Sequence, residues 1–473
     1  MLFIIQPHEQ KIFKVISETA KELGFPTYVV GGYVRDRLIG RLSKDMDIVC
    51  VGSGIKLAQA ISAKLRPIPQ IAVFKRFGTA MLKHDDLEIE FVGARKESYR
   101  VDSRKPTVED GSLEDDQNRR DFTINALAVS LNEADFGCII DPFEGLTDLE
   151  NKIIRTPLEP GKTFSDDPLR IMRGIRFASQ LDFHIEESTL NAISKYRNRL
   201  NIVSQERVAI ELNKILLSPK PSKGFHLMNK TGVLENVLPD LGKLKGVEVR
   251  NGIGHKDNFF HTLKVLDNLA AKSKNLWLRW AALLHDIGKA PTKRFSKTLG
   301  WTFHGHDAVG ASMVPRIFKK LRLPLDAKMK YVQKIVALHQ RPMKLTTEEI
   351  SDSAIRRILF DAGEDIDDLM QLCEADITSK NETKIKRYLA NYKSLRIRMK
   401  ELEESDKLKN WQPPITGELI METFGIKPSR DVGDIKKYIR ESILDGDITN
   451  DFEAAYDLMV KKGTEMGLKV VKK

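Results

Sequence analysis

The stretch Val30-Gly31-Gly32-Tyr33-Val34-Arg35-Asp36-Arg37-Leu38-Ile39-Gly40-Arg41-Leu42-Ser43-Lys44-Asp45-Met46-Asp47-Ile48-Val49-Cys50-Val51 decides how the chain is read. Its last part, Ile48–Val51, is an apolar strand-like run with Asp45 and Asp47 at its start. Side chains two apart on a strand share a face, so the two carboxylates point the same way. A hard divalent cation such as Mg²⁺ takes such oxygen ligands together with substrate phosphates. Upstream, Gly31-Gly32 lets backbone approach a phosphate closely, and Arg35 can clamp one with its planar fork.

On either side of this stretch short strands alternate with helices. Ile12–Leu23 and Leu57–Leu65 have helical spacing, the second stopped by Pro67 and Pro69. Tyr28–Val30 reads as a brief strand, and Thr79–Leu82 pairs with Leu87–Val92 around the turn His84-Asp85-Asp86. Arg100–Asn118 is polar and aperiodic and is expected to be a long mobile loop. Asp121–Leu131 is again apolar, and Cys138–Ile140 closes the region. From Asp166 nearly every segment has helical period, with Asp166 placed to cap a helix and Pro168 to sit in its first turn. An all-helical block is expected over Asn258–Thr378, and breakers at Pro219, Pro221, Pro239, Arg250–Gly254 and Gln412-Pro413-Pro414 mark boundaries. No internal repeat or low-complexity segment is evident. The expected fold class is α+β: a head with a small mixed β-sheet over 1–155, a helical neck and body over 156–250, a helical domain over 251–380 and a basic helical region over 381–473.

Composition narrows the function. The 473 residues carry 77 Lys+Arg against 66 Asp+Glu, a net charge of +11 that suits a polyanionic partner such as nucleic acid or simply keeps the surface solvated. The apolar runs Leu2–Ile5 and Ala281–Leu284 fall far short of the roughly 18 residues of a membrane span. Met1–Ile5 has no basic leader, and three cysteines make no disulfide framework, so the expected compartment is the cytoplasm.

The Gly31–Asp47 string resembles the nucleotidyltransferase superfamily, specifically bacterial CCA-adding enzymes and their poly(A) polymerase relatives, which carry G-G-x-V-R-D followed by D-x-D on a strand. The resemblance places a third carboxylate on a neighbouring strand, where Glu90 stands; read alone, Glu90 is a polar residue on a strand's solvent face. It implies two-metal phosphoryl transfer, with Asp45, Asp47 and Glu90 catalytic and Mg²⁺ at the head. Arg119-Arg120-Asp121-Phe122-Thr123-Ile124-Asn125-Ala126 resembles the family's R-R-D-F-T-x-N-A motif, and Gly32, Arg35 and the two arginines suit triphosphate oxygens. Asp121 and Asn125 are expected to meet ribose hydroxyls. Asp166-Asp167-Pro168-Leu169-Arg170 resembles the family's E-D-x-x-R segment. Asp167 and Arg170 are expected on one helical face, either as a surface ion pair or as a carboxylate and guanidinium that read the complementary edges of CTP and ATP. Arg173 and Arg176 continue that face toward the phosphates. Ser204–Leu212 resembles the family's neck helix and is expected to be structural.

The helical block holds His261, His285, Asp286, His306, His339 and Asp376, and Leu283-Leu284-His285-Asp286-Ile287-Gly288-Lys289 resembles the signature of HD phosphohydrolases. The resemblance implies that His261, His285, Asp286 and Asp376 hold one divalent ion and that His306 and His339 add a second. Imidazoles with carboxylates suit Mn²⁺, Fe, Ni²⁺ or Zn²⁺ better than Mg²⁺. His255, His304 and Asp307 lie nearby as supporting groups.

Two basic faces follow, Lys380, Lys384 and Arg387, then Lys393, Arg396 and Lys400, with Tyr388 and Tyr392 among them. They suit tRNA phosphates or a solvated helix face. The expected function is addition of CCA to tRNA 3′ ends from CTP and ATP, with no membrane partner. The full length of Arg100–Asn118 and the Arg76–Thr79 run favour complete addition. The alternatives are a poly(A) polymerase or partial A- or CC-adding enzyme, a metal-dependent phosphohydrolase whose head only binds nucleotide or RNA, and a tRNA-binding scaffold. Oligomeric state is not legible.

Overall fold

Pro7–Leu23 (α1) is helical because Pro7 fits a first turn, Gln6 and Glu9 form a capping box, and Gly24 takes the left-handed conformation that ends it. Its apolar face, Ile12, Phe13, Ile16 and Ala20, is buried. Each such large side chain stabilises the fold by about 1.5–3 kcal/mol. The computed structural model describes residues 2–100, 103–346, 351–379, 381–406 and 414–472. The chain divides into two units, Met1–Pro239 and Asp240–Lys473.

In the first unit the strands are β1 (Thr27–Val30), β2 (Asp45–Cys50), β3 (Ile71–Phe74), β4 (Thr79–His84), β5 (Leu87–Gly93), β6 (Arg95–Arg100), β7 (Ser103–Asp110), β8 (Ala128–Ser130) and β9 (Ile139–Ile140). Seven form one sheet in the order β3-β4-β5-β2-β1-β8-β9. Only β2 and β5 are parallel in it, with Asp47 opposite Glu90. Met46, Ile48, Ile89 and Phe91 enter the main core with Phe13, Ile16 and, from α3 (Gly54–Lys64), Ile61. Strand alternation therefore turns Asp45, Asp47 and Glu90 to the opposite face. The helix α2 (Gly32–Leu38) follows β1, and its Tyr33 hydroxyl and Arg37 both bond the buried Glu9 of α1. The helices Leu169–Leu181 and Gln205–Leu216 pack together behind the sheet region in sequence.

Three expectations change. Arg100–Asn118 is the end of a β6–β7 hairpin followed by α4 (Leu113–Asn118), which Ser112 and Asp115 cap; residues 101–102 lie outside the described residues. The run is almost wholly polar in sequence, so no apolar alternation announces the strands. Asp166 does not cap: it ends the helix Pro160–Asp166, and Asp167 is extended, accepting from the Leu169 amide at 3.1 Å to start the next helix. Asp167 and Arg170 are thus not two positions of one helix.

In the second unit, Asn258–Ala270, Leu276–Leu284, His306–Lys320, Ala327–Leu338 and Ile366–Ala375 are helices around Phe259, Trp280 and Phe318. Two short hairpins, Val249–Arg250 with Ile253–Gly254 and Arg294–Ser296 with Gly300–Thr302, were not expected to be strands; the second interrupts the helical block. Gly417–Phe424, Arg430–Asp445 and Phe452–Glu465 are helices beyond the long Glu382–Asp406. No described helix is long and apolar enough to cross a membrane.

Candidate functional site

A cavity of about 530 Å³ opens on the sheet face that carries Asp47 and Glu90. Gly32, Arg35, Arg119, Arg120, Asp121, Asn125, Asp167, Arg170, Arg173 and Arg176 all line it, as the sequence reading expected of a shared site, while Asp45 lies at the exposed start of β2. Burial raises the Asp47 carboxyl; Arg120 opposes this, and Glu90, Asp45 and Asp116 add to the rise. Carboxylates on neighbouring strands that repel one another beside an arginine-lined cavity fit a hard divalent cation.

The arginines are held by carboxylates, several of which the sequence reading missed. Asp116, fully buried on α4, takes both Arg119 and Arg120, the latter at 2.8 Å. Burial works against its charge, but the two guanidinia keep it below the usual carboxylate range. Gly31 has φ +77, and a Cβ there would stand 2.7 Å from Arg120 Nη1. The missing side chain leaves room for Arg120 beside Asp47.

Asp121 and Asn125 line the cavity and are also engaged with the chain itself. Asp121 Oδ2 accepts from Arg173 Nε at 2.6 Å, and its Oδ1 accepts from Asn125 Nδ2 and the Phe122 amide, both at 2.9 Å. Burial opposes the charge, yet Arg173 and Asn125 hold the carboxyl at about 2. Asn125 Oδ1 in turn accepts from Arg35 Nη1 at 2.6 Å. Arg176 pairs with buried Glu211 at 2.6 Å, and its own burial lowers it to about 10.

Arg170 donates to the carbonyls of Arg119 and Thr163, at 2.5 and 3.3 Å, and Asp167 faces Arg207 at 3.5 Å. Arg207, Glu211 and Lys214 come from the neck helix, so that helix is a wall of the site as well as a strut. Phe177 was also missed: Arg35, Arg173 and Arg176 lie 4.8, 5.3 and 4.0 Å from its ring centroid. The Arg173-Arg176-Phe177 spacing on one helical face was the available signal.

In the second unit all six expected ligands converge. Asp286 Oδ2 lies 3.6 Å from His261 Nε2 and 3.3 Å from His285 Nε2, while its Oδ1 lies 3.3 Å from His306 Nε2 and 3.9 Å from His339 Nε2. Asp376 Oδ1 is 2.9 Å from His261 Nε2. Each Nδ1 meets an oxygen: Thr378 Oγ1 for His261, and the carbonyls of Ala282, Phe303 and Val336 for His285, His306 and His339, all within 2.9 Å. Those contacts fix each ring with Nε2 toward the carboxylates, as metal-ligating imidazoles require. His285 Nε2 is buried and completes no well-aligned hydrogen bond, although Asp286 Oδ2 and Asp376 Oδ1 stand 3.3 and 3.7 Å away. A buried donor or acceptor left so is costly; a divalent cation fits these atoms. Burial disfavours a charged His285, but Asp286 and Asp376 push it up to about 9, whereas burial and then His285 bring His339 down to about 4. Gly288 makes the cluster close: a Cβ there would stand 2.1 Å from the His306 carbonyl.

On Glu382–Asp406, Lys384 and Arg387 remain on the helix surface, and Lys380 lies outside the described residues. Tyr392 is buried, and Arg396 is committed to Glu374 at 2.7 Å and Asp367 at 3.0 Å, so neither belongs to an open basic face.

Comparison with known proteins follows the same division. Residues 27–155 match the family model described as Poly A polymerase head domain, residues 182–244 that described as "Probable RNA and SrmB- binding site of polymerase A", and residues 258–380 that described as HD domain. A CCA-adding enzyme of Streptococcus gordonii is 31% identical over 94% of this chain and 96% of its own. An A-adding tRNA nucleotidyltransferase of Deinococcus radiodurans is 29% identical over 90% and 93%. Among solved structures, a tRNA nucleotidyltransferase complexed with a primer tRNA and an incoming ATP analog is 27% identical, with a TM-score of 0.57 over 81% of this chain and 99% of that one.

Proposed function

Because the chain belongs to the family of CCA-adding enzymes and their A-adding tRNA nucleotidyltransferase relatives, we propose that it adds C, C and A to tRNA 3′ ends from CTP and ATP, releasing pyrophosphate. The observation that carries this is the guanidinium-lined cavity floored by Asp47 and Glu90. Asp45, Asp47 and Glu90 hold divalent cations, Mg²⁺ by their all-oxygen chemistry. When bound, such ions lower the pKa of the attacking 3′-hydroxyl and offset charge on the triphosphate. The chain's own residues do the positioning. Arg119 and Arg120, fixed by Asp116, and Arg173 and Arg176, fixed by Asp121 and Glu211, present guanidinia to phosphate oxygens without having to be ordered first. Gly32 leaves the cavity wall open beside Arg35.

Asp167 and Arg170 read the base. Asp167 Oδ2 accepts the exocyclic amine of cytosine or adenine, and the N–H groups that Arg170 does not give to carbonyls face the ring nitrogen. Uracil and guanine reverse that order. The full length of the 100–118 segment supports complete CCA addition over CC addition alone. Lys384 and Arg387 contribute to tRNA phosphate binding, and the substrates place the work in the cytoplasm. The test offers tRNA transcripts ending at the discriminator base, at C and at CC, with one labelled nucleotide at a time. Stepwise C, C, A and a stop is expected; A on the CC end alone, or runs of A, overturns the reading.

The second unit carries a second reading, favoured by the convergence of four imidazoles on buried Asp286 with Asp376 beside them: hydrolysis of a phosphate ester. His261, His285, Asp286 and Asp376 hold one ion and Asp286, His306 and His339 another, of the Mn²⁺, Fe, Ni²⁺ or Zn²⁺ type. When bound, such ions would supply an acidified water and polarise a phosphate oxygen. H285A/D286A should keep nucleotide addition and lose phosphatase activity, and phosphatase activity that survives places the hydrolysis elsewhere.

A further inference from the structure

The two halves of the buried cluster in the second unit share one carboxylate. Asp286 turns Oδ2 to His261 and His285, and Oδ1 to His306 and His339. The halves differ at the imidazole nitrogens. In the first, His285 Nε2 completes no well-aligned hydrogen bond. In the second, the side-chain amide nitrogen of Gln340 stands 3.0 Å from His306 Nε2. His306 Nδ1 lies 2.8 Å from the Phe303 carbonyl, which only accepts, so Nδ1 carries the ring's proton and Nε2 its lone pair. The NH2 end of Gln340 donates to that lone pair, the same one a cation at this half would take.

The ring in this contact is held, and the amide is not. His306 opens the helix His306–Lys320, and its carbonyl packs so closely on Gly288 that a Cβ there would stand 2.1 Å from it. With Nδ1 also bonded, the imidazole has little room to turn. Gln340 lies between the helices Ala327–Leu338 and Arg341–Lys344, is half-buried, and makes no side-chain cap to the helix it precedes. Its contact with His306 is the one hydrogen bond of its side chain among the described residues. A long side chain held by a single neutral hydrogen bond swings aside at a cost of about two- to tenfold in an equilibrium constant. Opening this half therefore falls to Gln340, not to His306.

We propose that Gln340 is a latch on the second half of the cluster. The half formed by His261, His285 and Asp376 with Asp286 Oδ2 takes its ion first. The half formed by His306 and His339 with Asp286 Oδ1 takes one only when the amide leaves His306. The inference rests on the metal reading of the cluster given above and adds its regulation. The number of ions held follows the free concentration of divalent metal, and Gln340 sets the concentration at which the second enters. Gln340 acts through His306, as a positioning residue and not as a ligand.

The experiment titrates Mn²⁺ into the metal-stripped full chain and follows it by calorimetry and by electron paramagnetic resonance. D45N/D47N in every sample keeps Mn²⁺ from pairing in the first unit. Two Mn²⁺ ions that share Asp286 give an exchange-coupled spectrum, distinct from that of isolated ions. In the parent, one ion is expected to enter first and the coupled spectrum to appear only at higher free Mn²⁺. Q340M keeps the length of the side chain without a donor, and Q340A removes it. In both, coupling should appear at about two- to tenfold lower free Mn²⁺, with the first step unchanged as the check on folding. H306A should bind one ion and show no coupling. Coupling at the same free Mn²⁺ in the parent, Q340M and Q340A, or its absence from all three, overturns the latch. So does a second step that weakens in both variants, which would make Gln340 a ligand. Each of these outcomes leaves the metal reading standing. A cluster that takes up no Mn²⁺, with or without Gln340, overturns the metal reading itself and the latch with it.

Discussion

Replacing Asp121 by Asn separates a substrate contact from a counter-ion. Asp121 is 6% exposed, and both of its oxygens are taken by Arg173, Asn125 and the Phe122 amide. The fold holds its carboxyl at about 2 against an ordinary 3.8. A depressed carboxyl pKa means that the folded state favours the ionised form. Its stabilisation is therefore fully present above about pH 4 and is lost as the pH falls through about 2. The difference corresponds to about 2 kcal/mol. Asn keeps the shape and accepts from the Phe122 amide, but it leaves Arg173 without its charge partner. Urea unfolding followed by circular dichroism should show D121N about 2 kcal/mol less stable than the parent at pH 5–7, with the gap closing between pH 4 and pH 2. Nucleotide addition should fall too, because Arg173 directly and Arg35 through Asn125 lose their anchors. Lost activity with no loss of stability, or a gap that does not change with pH, would refute the counter-ion role and put Asp121 against the substrate.

Three further outcomes follow from the geometry. Asp47→Asn should lower nucleotide addition by on the order of 10³ or more, about 4 kcal/mol in the barrier, while filter binding shows tRNA affinity retained. Asp167→Ala should raise incorporation of UTP and GTP relative to CTP and ATP by about tenfold or more, since a site that hydrogen-bonds its substrate discriminates by leaving buried groups unpaired; unchanged ratios in single-nucleotide extension would contradict it. Gly288→Ala forces a Cβ to within 2.1 Å of the His306 carbonyl and 2.6 Å of the Gly310 amide. It should destabilise the second unit by about 3 kcal/mol, seen as an earlier tryptophan-fluorescence transition and as lost divalent metal by elemental analysis.

Some of this was legible in the residues and some was not, for physical reasons. Period two placed Asp45 and Asp47 on one face, and pairing register then put Glu90 opposite Asp47. The convergence of the six histidine and aspartate side chains was legible because few other roles gather so many imidazoles. Asp116 was not: on a short helix among other acids it carries no pattern, and only the fold turns it inward beneath two arginines. Arg207 and Glu211 were hidden because an amphipathic helix announces its apolar stripe, not which polar residues at the stripe's edge meet a neighbour. The β6–β7 hairpin was hidden because its sequence is almost wholly polar and carries no apolar alternation. Asp167 and Arg170 were recognised, but their relation was misjudged: a break at Pro168 separates them, and the local backbone, not helical spacing, brings both to the cavity.

The arginines of the first unit bear on how a protein selects a base without a template. A free arginine loses about 2 kcal/mol of side-chain entropy when fixed. Here Arg119, Arg120, Arg173 and Arg176 are fixed beforehand by three buried carboxylates, so a triphosphate meets a rigid set of donors. The same arrangement crowds like charges. Three guanidinia face the one ring of Phe177, and burial together with Arg173 brings Arg176 down to about 10. A polyanion relieves that crowding whichever base it carries, so the phosphates supply affinity common to all nucleotides. Discrimination must then come from the few groups the phosphates do not occupy. On the reading proposed above Asp167 and Arg170 are such a pair, and both are restrained, Asp167 by the Leu169 amide and Arg207, Arg170 by the carbonyls of Arg119 and Thr163. A carboxylate and a guanidinium that cannot swing apart present one fixed order of acceptor and donor. A base with the reverse order meets it with unpaired charge instead of rearranging it.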